Sequence, residues 1–229
     1  MRSRFGLTNN QLKIIAMITM LLDHIGVYLF PSVEWLRIVG RISLPIFAYM
    51  IAEGCHYTRH RLRYFLQIFV LAVGCQLVFY FAMESLYQGI LVTFSLAILV
   101  VYGVDNFLKK RDLLSCGIAL LVVGLTIFLT IFGPRVWVHT DFAIDYGIAG
   151  VALPILIYYA PMKIWRLLVT AVGIAALSLT LARIQWWALM SLPFLALYNG
   201  ERGKLKMKYF FYVFYPLHLV ALYFIGMLL

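Results

Sequence analysis

The chain has 229 residues, of which 64% are hydrophobic and only 12% are charged, and its mean hydropathy is +0.95. Soluble domains contain about 45–50% apolar and about 25% charged residues, so this composition excludes a soluble domain and predicts a polytopic membrane protein. The formal net charge of +10 would suit a nucleic-acid partner. Its Lys and Arg residues, however, lie in short runs between apolar stretches, which is typical of topology signals, and we expect no nucleic-acid partner.

The apolar stretches predict an all-α bundle of about nine transmembrane segments, forming one domain over residues 1–229. A helix of about 20 apolar residues crosses a bilayer, and the short connections leave no room for a soluble domain. The eighth stretch is short and contains Pro193, so a re-entrant or tilted segment is an alternative there. The predicted spans are 12–30, 35–54, 63–83, 90–108, 113–132, 143–160, 164–182, 185–198 and 209–228.

The basic residues predict the orientation of the bundle. Fifteen of the 19 Lys and Arg residues lie at one set of span ends, whereas the opposite set has only Arg135 and Arg183. The positive-inside rule therefore places the N-terminus in the cytoplasm and the C-terminus outside. The fifteen are Arg2, Arg4, Lys13, Arg59, Arg61, Arg63, Lys109, Lys110, Arg111, Lys163, Arg166, Arg202, Lys204, Lys206 and Lys208.

The first span contains ionisable residues that a simple anchor would not need. Lys13 lies at its start, and Asp23 and His24 lie deep inside it. Lys13 and His24 are eleven residues apart, which is about three helical turns, so they share a face about 16 Å apart along the axis. Ionisable groups at membrane depth cost about 2.5–3.5 kcal/mol each on insertion scales. This helix is therefore predicted to line a functional site.

The second span contains two arginines one turn apart. Arg37 is expected to extend to the outer interface, whereas Arg41 lies deeper, next to Gly40. A buried guanidinium needs a carboxylate or a phosphate, so Arg41 pairs with Asp23 or Glu53 or else binds a ligand. Pro45 is predicted to kink this helix and to free a backbone carbonyl.

Other polar residues are candidates of lower weight. Asp105 has Lys109 one turn later, which predicts an ion pair at a helix end. At the outer face Asp141 is explained by solvation, whereas the deeper Asp145, followed by Tyr146, is a candidate site residue. In the last span His218 follows Tyr215 and Pro216, and either a packing role or a functional role is open to it. The three cysteines have neither metal-binding nor disulfide spacing, so we expect packing roles and no metal.

Four segments in order along the chain resemble the TraX family. They are LKIIAMITMLLDHIG, LRIVGRISLPIFAYMIAEG with YTR, DYGIAGV and KYFFYVFYPLHL. The resemblance covers nearly the whole chain. It implies a relationship to the transmembrane acyltransferases, including the acyltransferase-3 and heparan-α-glucosaminide acetyltransferase-like families. In acyltransferase-3 proteins a basic residue is followed, after ten residues, by a histidine, which is the spacing of Lys13 and His24.

The resemblance implies a multi-pass acetyltransferase of the bacterial inner membrane, with acetyl-CoA as co-substrate. His24 would be the general base or the acyl carrier, with Asp23 and His218 as further catalytic candidates. Asp23 is expected to pair with Arg41 rather than to orient His24, because adjacent helical side chains point about 100° apart. The donor-binding candidates are Arg41, Lys13, Arg59 and Arg37; the acceptor-side candidates are Glu53, Asp145, Tyr146 and Tyr215. The acceptor is an amine or a hydroxyl of a pilin-like peptide, an amino sugar or a lipid headgroup, and the oligomeric state is open.

Two other classes of function fit the same buried charges. A proton-coupled transporter needs Asp, Glu, Arg and His inside the bundle, although no internal duplication accompanies them here. A structural membrane subunit would use them only for packing. Thiol release from acetyl-CoA would separate an acetyltransferase from both alternatives.

Overall fold

In the computed structural model, which describes residues 5–203 and 208–228, the chain is an all-α polytopic bundle, as predicted. Arg2, Arg4, Lys204 and Lys206, four of the predicted topology determinants, lie outside the described residues, as does the side chain of Lys208. The described helices are α1 Asn9–Tyr28, α2 Glu34–Gly40, α3 Ser43–Tyr57, α4 Arg61–Met83, α5 Ile90–Lys110, α6 Leu113–Ile127, α7 Gly133–Val136, α8 Gly147–Tyr159, α9 Lys163–Thr180, α10 Leu192–Ala196 and α11 Lys208–Leu228. A π-helical turn, Phe128–Phe132, joins α6 to α7, and a 3₁₀ helix, Arg183–Ser191, precedes α10.

Within the described part of the chain, seven helical segments are long and apolar enough to cross a membrane. They match seven of the nine predicted spans. The second of them, Glu34–Tyr57, comprises α2 and α3 and is interrupted at Arg41 and Ile42. Because Pro45 has no N–H to donate to the carbonyl of Arg41, the helix breaks one turn before the proline, which is the predicted kink.

The structure divides into two compact units. The first contains Met1–Met50 and Pro161–Leu229, and the second contains Ile51–Ala160, so the division falls inside α3. Each unit is described below by itself, and one domain over residues 1–229 stays a prediction.

In the first unit, the predicted eighth span is not a single α-helix. Its 3₁₀ helix and α10 together run back along α9, because Lys163 at the start of α9 donates to the carbonyls of Ala196 (2.5 Å) and Tyr198 (2.8 Å). A 3₁₀ helix rises about 2.0 Å per residue, against 1.5 Å in an α-helix. The 14 residues from Arg183 to Ala196 thereby cover about 25 Å, close to the length of α9.

The start of α1 lies at the same end of the first unit. Thr8 caps α1 through a capping box with Gln11, and the amide of Asn9 donates to the carbonyl of Glu201 at 2.8 Å. Leu7 forms an isolated bridge with Tyr198, which is also bonded by Lys163. The basic residues at the starts of α1 and α9 therefore share one end of the unit, as the charge pattern predicts.

In the second unit, α8 is shorter than the predicted span 143–160, with 13 residues. It begins after Tyr146 and ends at Tyr159, because Ala160 precedes Pro161 and that position disfavours helix. At its two ends α8 lies beside α5: Thr93 donates to the carbonyl of Asp145 at 2.7 Å, and Tyr158 donates to Asp105 at 2.7 Å. The two helices therefore run side by side in the same direction.

Candidate active site

The first unit contains an ion triad formed by one carboxylate and two guanidinium groups. Arg41 binds Oδ1 of Asp23 through its Nη2, and Arg37 Nη1 lies 3.0 Å from Oδ2. The Arg41 side chain is only 6% exposed, whereas that of Arg37 is 31% exposed. The expected pairing of Asp23 with Arg41 is thus present, and Arg37 binds the same carboxylate rather than only extending to the interface. One carboxylate therefore fixes both guanidinium groups in position.

Two glycines allow α1 and α2 to pack closely at the ion triad. A Cβ added to Gly40 would overlap the side chain of Asp23, and one added to Gly26 would come within 2.9 Å of Leu36 Cβ. The missing side chains allow α1 and α2 to pack closely enough for the carboxylate of Asp23 to lie against the α2 backbone. Gly40 directly precedes Arg41 in the sequence, and the group that approaches Gly40 is this carboxylate.

His24 on α1 and His218 on α11 form a contacting pair. Nε2 of His218 lies 3.2 Å from Nδ1 of His24, and the ring centroids are 5.0 Å apart. His218 is 5% exposed. It stacks on Phe214 and meets the edge of Tyr215 at 5.6 Å, whereas His24 stacks on Tyr28 at 6.1 Å. The predicted candidates His24, His218 and Tyr215 are therefore brought together in one aromatic environment.

The backbone partners assign the tautomers of the two rings. Nδ1 of His24 lies 2.9 Å from the carbonyl of Met20, and Nδ1 of His218 lies 2.9 Å from that of Phe214. A carbonyl oxygen only accepts, so each Nδ1 carries the proton. Neutral His218 then has a bare Nε2, which shares the single Nδ1–H of His24 with the Met20 carbonyl in a three-centre hydrogen bond, and neutral His24 keeps the lone pair on its own Nε2. The hydrogen bonds of His24 involve Met20 and His218 rather than Asp23, as expected for adjacent helical residues.

Lys13 lies on the same face of α1 as His24, as predicted. Its ammonium group is 5.4 Å from the ring centroid of Phe211, so both Lys13 and His24 contact α11. Arg202 is close enough to repel the Lys13 charge. A basic end and a histidine pair are thus separated by about 16 Å along one helix seam.

The remaining predicted site residues belong to the second unit. Glu53 is buried on α3 at 4% exposure, and Arg59 is exposed in the turn between α3 and α4. The carboxylate of Asp145 accepts from the Tyr87 hydroxyl at 2.7 Å. Tyr146 has a φ of +58°, and a Cβ at Gly150 would overlap its side chain. Gly150 therefore provides the space in which the strained Tyr146 caps α8.

Asp141 holds the outer connection between α4 and α5. Its carboxylate accepts from the Ser85 hydroxyl at 2.5 Å and from the Leu86 amide at 2.8 Å. These hydrogen bonds, led by that of Ser85, lower the pKa of Asp141 because they stabilise its charged form. Asp141 is therefore a loop anchor as well as a solvated carboxylate.

The predicted pairing of Asp105 with Lys109 is wrong. Asp105 instead binds Arg61 at 2.5 Å and accepts from the hydroxyls of Tyr158 at 2.7 Å and Tyr159 at 3.2 Å. A pair within one helix is exposed and weak, whereas this carboxylate is buried and needs several donors. No sequence spacing links these residues, because they come from α4, α5 and α8. Arg61 consequently stabilises the second unit and is not a free cation.

The fold and the site together define a class: a polytopic helical membrane protein with a contacting pair of histidines, one of them buried, beside an ion triad. Among the described residues, no group of three His, Cys, Asp or Glu side chains is arranged to hold a metal ion. The histidine pair in the first unit can accept a proton at His24 Nε2.

Comparison with known proteins identifies the family. Residues 8–226 match the family described as TraX protein, and the chain belongs to the TraX family. It is 26% identical over 244 residues to a probable fimbrial assembly protein FimC, serogroup H1, of Dichelobacter nodosus, covering 93% of each chain. It is also 28% identical over 156 residues to an uncharacterized protein of Rickettsia prowazekii (strain Madrid E), covering 67% of this chain and 56% of that relative. No solved structure matches.

Proposed function

We propose that this protein is a multi-pass acetyltransferase of the bacterial inner membrane. It would move an acetyl group from cytosolic acetyl-CoA to an amine at the extracytoplasmic side. The observation that carries the proposal is the His24–His218 pair, in which His24 keeps an unprotonated Nε2 next to an ion triad. The name of the Dichelobacter relative concerns fimbrial assembly and supports a pilin-like peptide as the acceptor.

The donor would be held from the basic end of the molecule. Lys13, with Arg202 near it, offers positive charge for the phosphates of coenzyme A, and Arg59 remains a further candidate. Because Lys13 and His24 share one face of α1 about 16 Å apart, an elongated donor would reach from the phosphate-binding end to the histidine.

The chemical step uses His24 as general base. The acceptor nitrogen attacks the acetyl carbonyl carbon while its proton passes to His24 Nε2, a C–N bond forms and the C–S bond breaks. The thiolate leaves as coenzyme A and takes up the proton from His24, so the enzyme returns to its starting state. In the alternative route His24 Nε2 attacks the acetyl carbonyl carbon and expels the thiolate as the C–S bond breaks. The amine then displaces His24 from the acetyl group, and its proton passes to the thiolate. His218 then orients His24 by accepting from its Nδ1–H.

The ion triad would stabilise the negative charge that develops during acetyl transfer. Attack on the carbonyl places negative charge on the acetyl oxygen, and a preorganised positive charge in a dry site lowers that barrier. Arg37 and Arg41 are both held on one carboxylate and would carry this role. Asp23 would fix both guanidinium groups in place. Tyr215 would pack against His218, and Glu53, Asp145 and Tyr146 remain acceptor-side candidates.

The decisive experiment compares wild type with His24→Ala in purified, detergent-solubilised protein. We expect His24→Ala to lower thiol release from acetyl-CoA, in the presence of a peptide amine, by about 10²–10⁴-fold, the usual contribution of a general base. Acetyl-CoA binding by calorimetry should persist in His24→Ala and weaken in Lys13→Gln. His139→Ala, which changes an exposed histidine in the outer loop, is the matched control and should retain activity.

Full turnover by a folded His24→Ala protein would refute the assigned base. A folded wild type that binds no acetyl-CoA would refute acetyl transfer and favour proton-coupled transport, which uses the same buried groups.

A further inference from the structure

The end of the second unit at which α4 begins and α5 ends carries a dense group of exposed cations. Arg59 precedes α4 and Arg63 lies in its first turn, whereas the other cations belong to the connection from α5 to α6. These segments meet because Arg61 on α4 binds Asp105 on α5, one helical turn before Lys109. The five exposed cations are called the basic patch: Arg59, Arg63, Lys109, Lys110 and Arg111.

The basic patch keeps its positive charge although two carboxylates lie near it in the sequence. Asp105 is buried and is already bound by Arg61 and by two tyrosine hydroxyls. Asp112 is exposed, and it caps α6 by accepting from the Ser115 amide at 2.7 Å. Within residues 5–203 and 208–228, no cation of the basic patch forms an ion pair. Five exposed cations beside the carboxylate of Asp112 leave this surface positive.

Helix stability does not explain the arginines of α4. The N-terminal end of a helix carries partial positive charge, so acidic residues stabilise the first turn and basic residues do not. The first turn of α4 has no acidic residue, yet Arg61 and Arg63 lie there. Asp105 compensates Arg61, whereas Lys109 and Lys110 suit the C-terminal end of α5. Arg63 is therefore the residue that an external anion would stabilise.

Exposed apolar rows on α4 and α6 continue directly from the basic patch. Residues three and four positions apart lie on the same face of a helix, so Arg63 is the first residue of the row on α4. The row on α6 begins three residues after Arg111. The exposed residues are Leu66, Val70, Val73 and Leu77 on α4, and Leu114, Ile118, Leu121 and Leu125 on α6. In a membrane protein, rows of this kind lie against lipid acyl chains.

We propose that the basic patch binds the headgroup of an anionic phospholipid, whose acyl chains lie along the rows on α4 and α6. The phosphate provides the negative charge that Arg and Lys bind, and the acyl chains cover the apolar rows. A water-soluble polyphosphate such as coenzyme A would match the cations but not the rows beside them. In the predicted orientation this end faces the cytoplasm, and the cytoplasmic leaflet carries anionic lipids.

This inference goes beyond the proposed function, because its residues belong to the second unit and the histidine pair belongs to the first. It assigns Arg59, a candidate for donor binding, to the lipid instead. Arg61 has a positioning role, since its bond to Asp105 holds the start of α4 beside the end of α5.

The test uses native mass spectrometry of the full-length protein in detergent, titrated with phosphatidylglycerol and separately with zwitterionic phosphatidylcholine. Arg63→Gln/Lys109→Gln, the patch variant, removes two exposed charges and leaves the Arg61–Asp105 pair intact. Each charge near an anionic lipid surface changes affinity about fivefold, so we expect the patch variant to bind phosphatidylglycerol about 25-fold more weakly. Arg63→Lys/Lys109→Arg keeps both charges and should bind as wild type does.

The matched control removes two charges from the opposite ends of the spans. Arg135→Gln/Arg183→Gln changes two exposed arginines of the outer connections and should bind phosphatidylglycerol as wild type does. An equal loss in this control and in the patch variant would reduce the effect to net charge and would overturn the inference. Equal binding of the two lipids by wild type, or unchanged binding by a folded patch variant, would overturn it as well.

A coenzyme A titration separates this inference from the proposed function. Displacement of phosphatidylglycerol by coenzyme A, with weaker acetyl-CoA binding by the patch variant, would overturn the lipid assignment in favour of a donor site. Unchanged acetyl-CoA binding by a patch variant that has lost the lipid supports the inference. Lipid binding through the basic patch in a protein that binds no acetyl-CoA supports the inference while the proposed function fails.

Discussion

Single residues in the first unit have roles that depend on their neighbours across a helix interface. Asp23 is next to His24 in sequence, yet its contacts are with Arg37 and Arg41. His24 in turn contacts His218, which is 194 residues away in the chain. The residue types indicated a buried functional site, but only the packing of α1 with α2 and α11 determined which groups interact.

Gly40 provides a direct test of the ion triad. Gly40→Ala would force the Asp23 carboxylate away from α2 and disturb its bond to Arg41. We expect a loss of about 1–3 kcal/mol in unfolding free energy, the usual effect of overpacking, measured by denaturant unfolding in detergent. Gly74→Ala on α4 is the control, because its added Cβ meets nothing within 4 Å. Gly74→Ala should stabilise the protein by up to about 1 kcal/mol through the higher helix propensity of alanine. Equal effects of Gly40→Ala and Gly74→Ala on the unfolding free energy would contradict the packing role of Gly40.

At the scale of elements, two of the nine predicted spans, 143–160 and 185–198, are not continuous α-helices of membrane-spanning length. Pro193 prevents a continuous α-helix in the eighth span, and the 3₁₀ geometry makes up the length. The turn at Tyr146 and the Ala160–Pro161 dipeptide limit α8 to 13 residues. Hydropathy identifies apolar stretches, but it does not distinguish a 3₁₀ helix from an α-helix.

The outer connection between α4 and α5 should respond to acid through Asp141. Its carboxylate is the acceptor for Ser85 and Leu86, and its pKa is lowered, so this anchoring is complete above the usual Asp pKa of about 3.9. It is lost as the pH falls through the lowered pKa. The Leu86 amide resonance should therefore titrate with a midpoint below 3.9, and this transition should be absent in Asp141→Asn. A midpoint above the usual value would contradict the anchoring role.

At the scale of the whole molecule, charge and hydropathy together describe a membrane protein with basic ends on one side. In the first unit Lys13 and Lys163 lie at the same end. In the second unit the basic turn between α3 and α4 lies beside the end of α5, through Arg61 and Asp105. Each unit therefore agrees with the positive-inside pattern.

Single-cysteine labelling tests the predicted orientation. In a background with Cys55, Cys75 and Cys116 replaced by alanine, we would compare Arg59→Cys with Val138→Cys, both at exposed positions. A membrane-impermeant maleimide added to intact cells should label position 138 and should label position 59 only after lysis. Labelling of position 59 in intact cells would contradict the predicted orientation, in which the turn between α3 and α4 faces the cytoplasm.

The sequence by itself determined the class of fold, seven of the spans, the expected orientation and the helix face shared by Lys13 and His24. These properties follow from hydropathy, charge and helical period, which are local along the chain. The tertiary structure decided the His24–His218 pair, the binding of two arginines by Asp23 and the partners of Asp105. Each of these joins residues distant in sequence, and a buried polar group takes whichever partner the packing brings within hydrogen-bond distance.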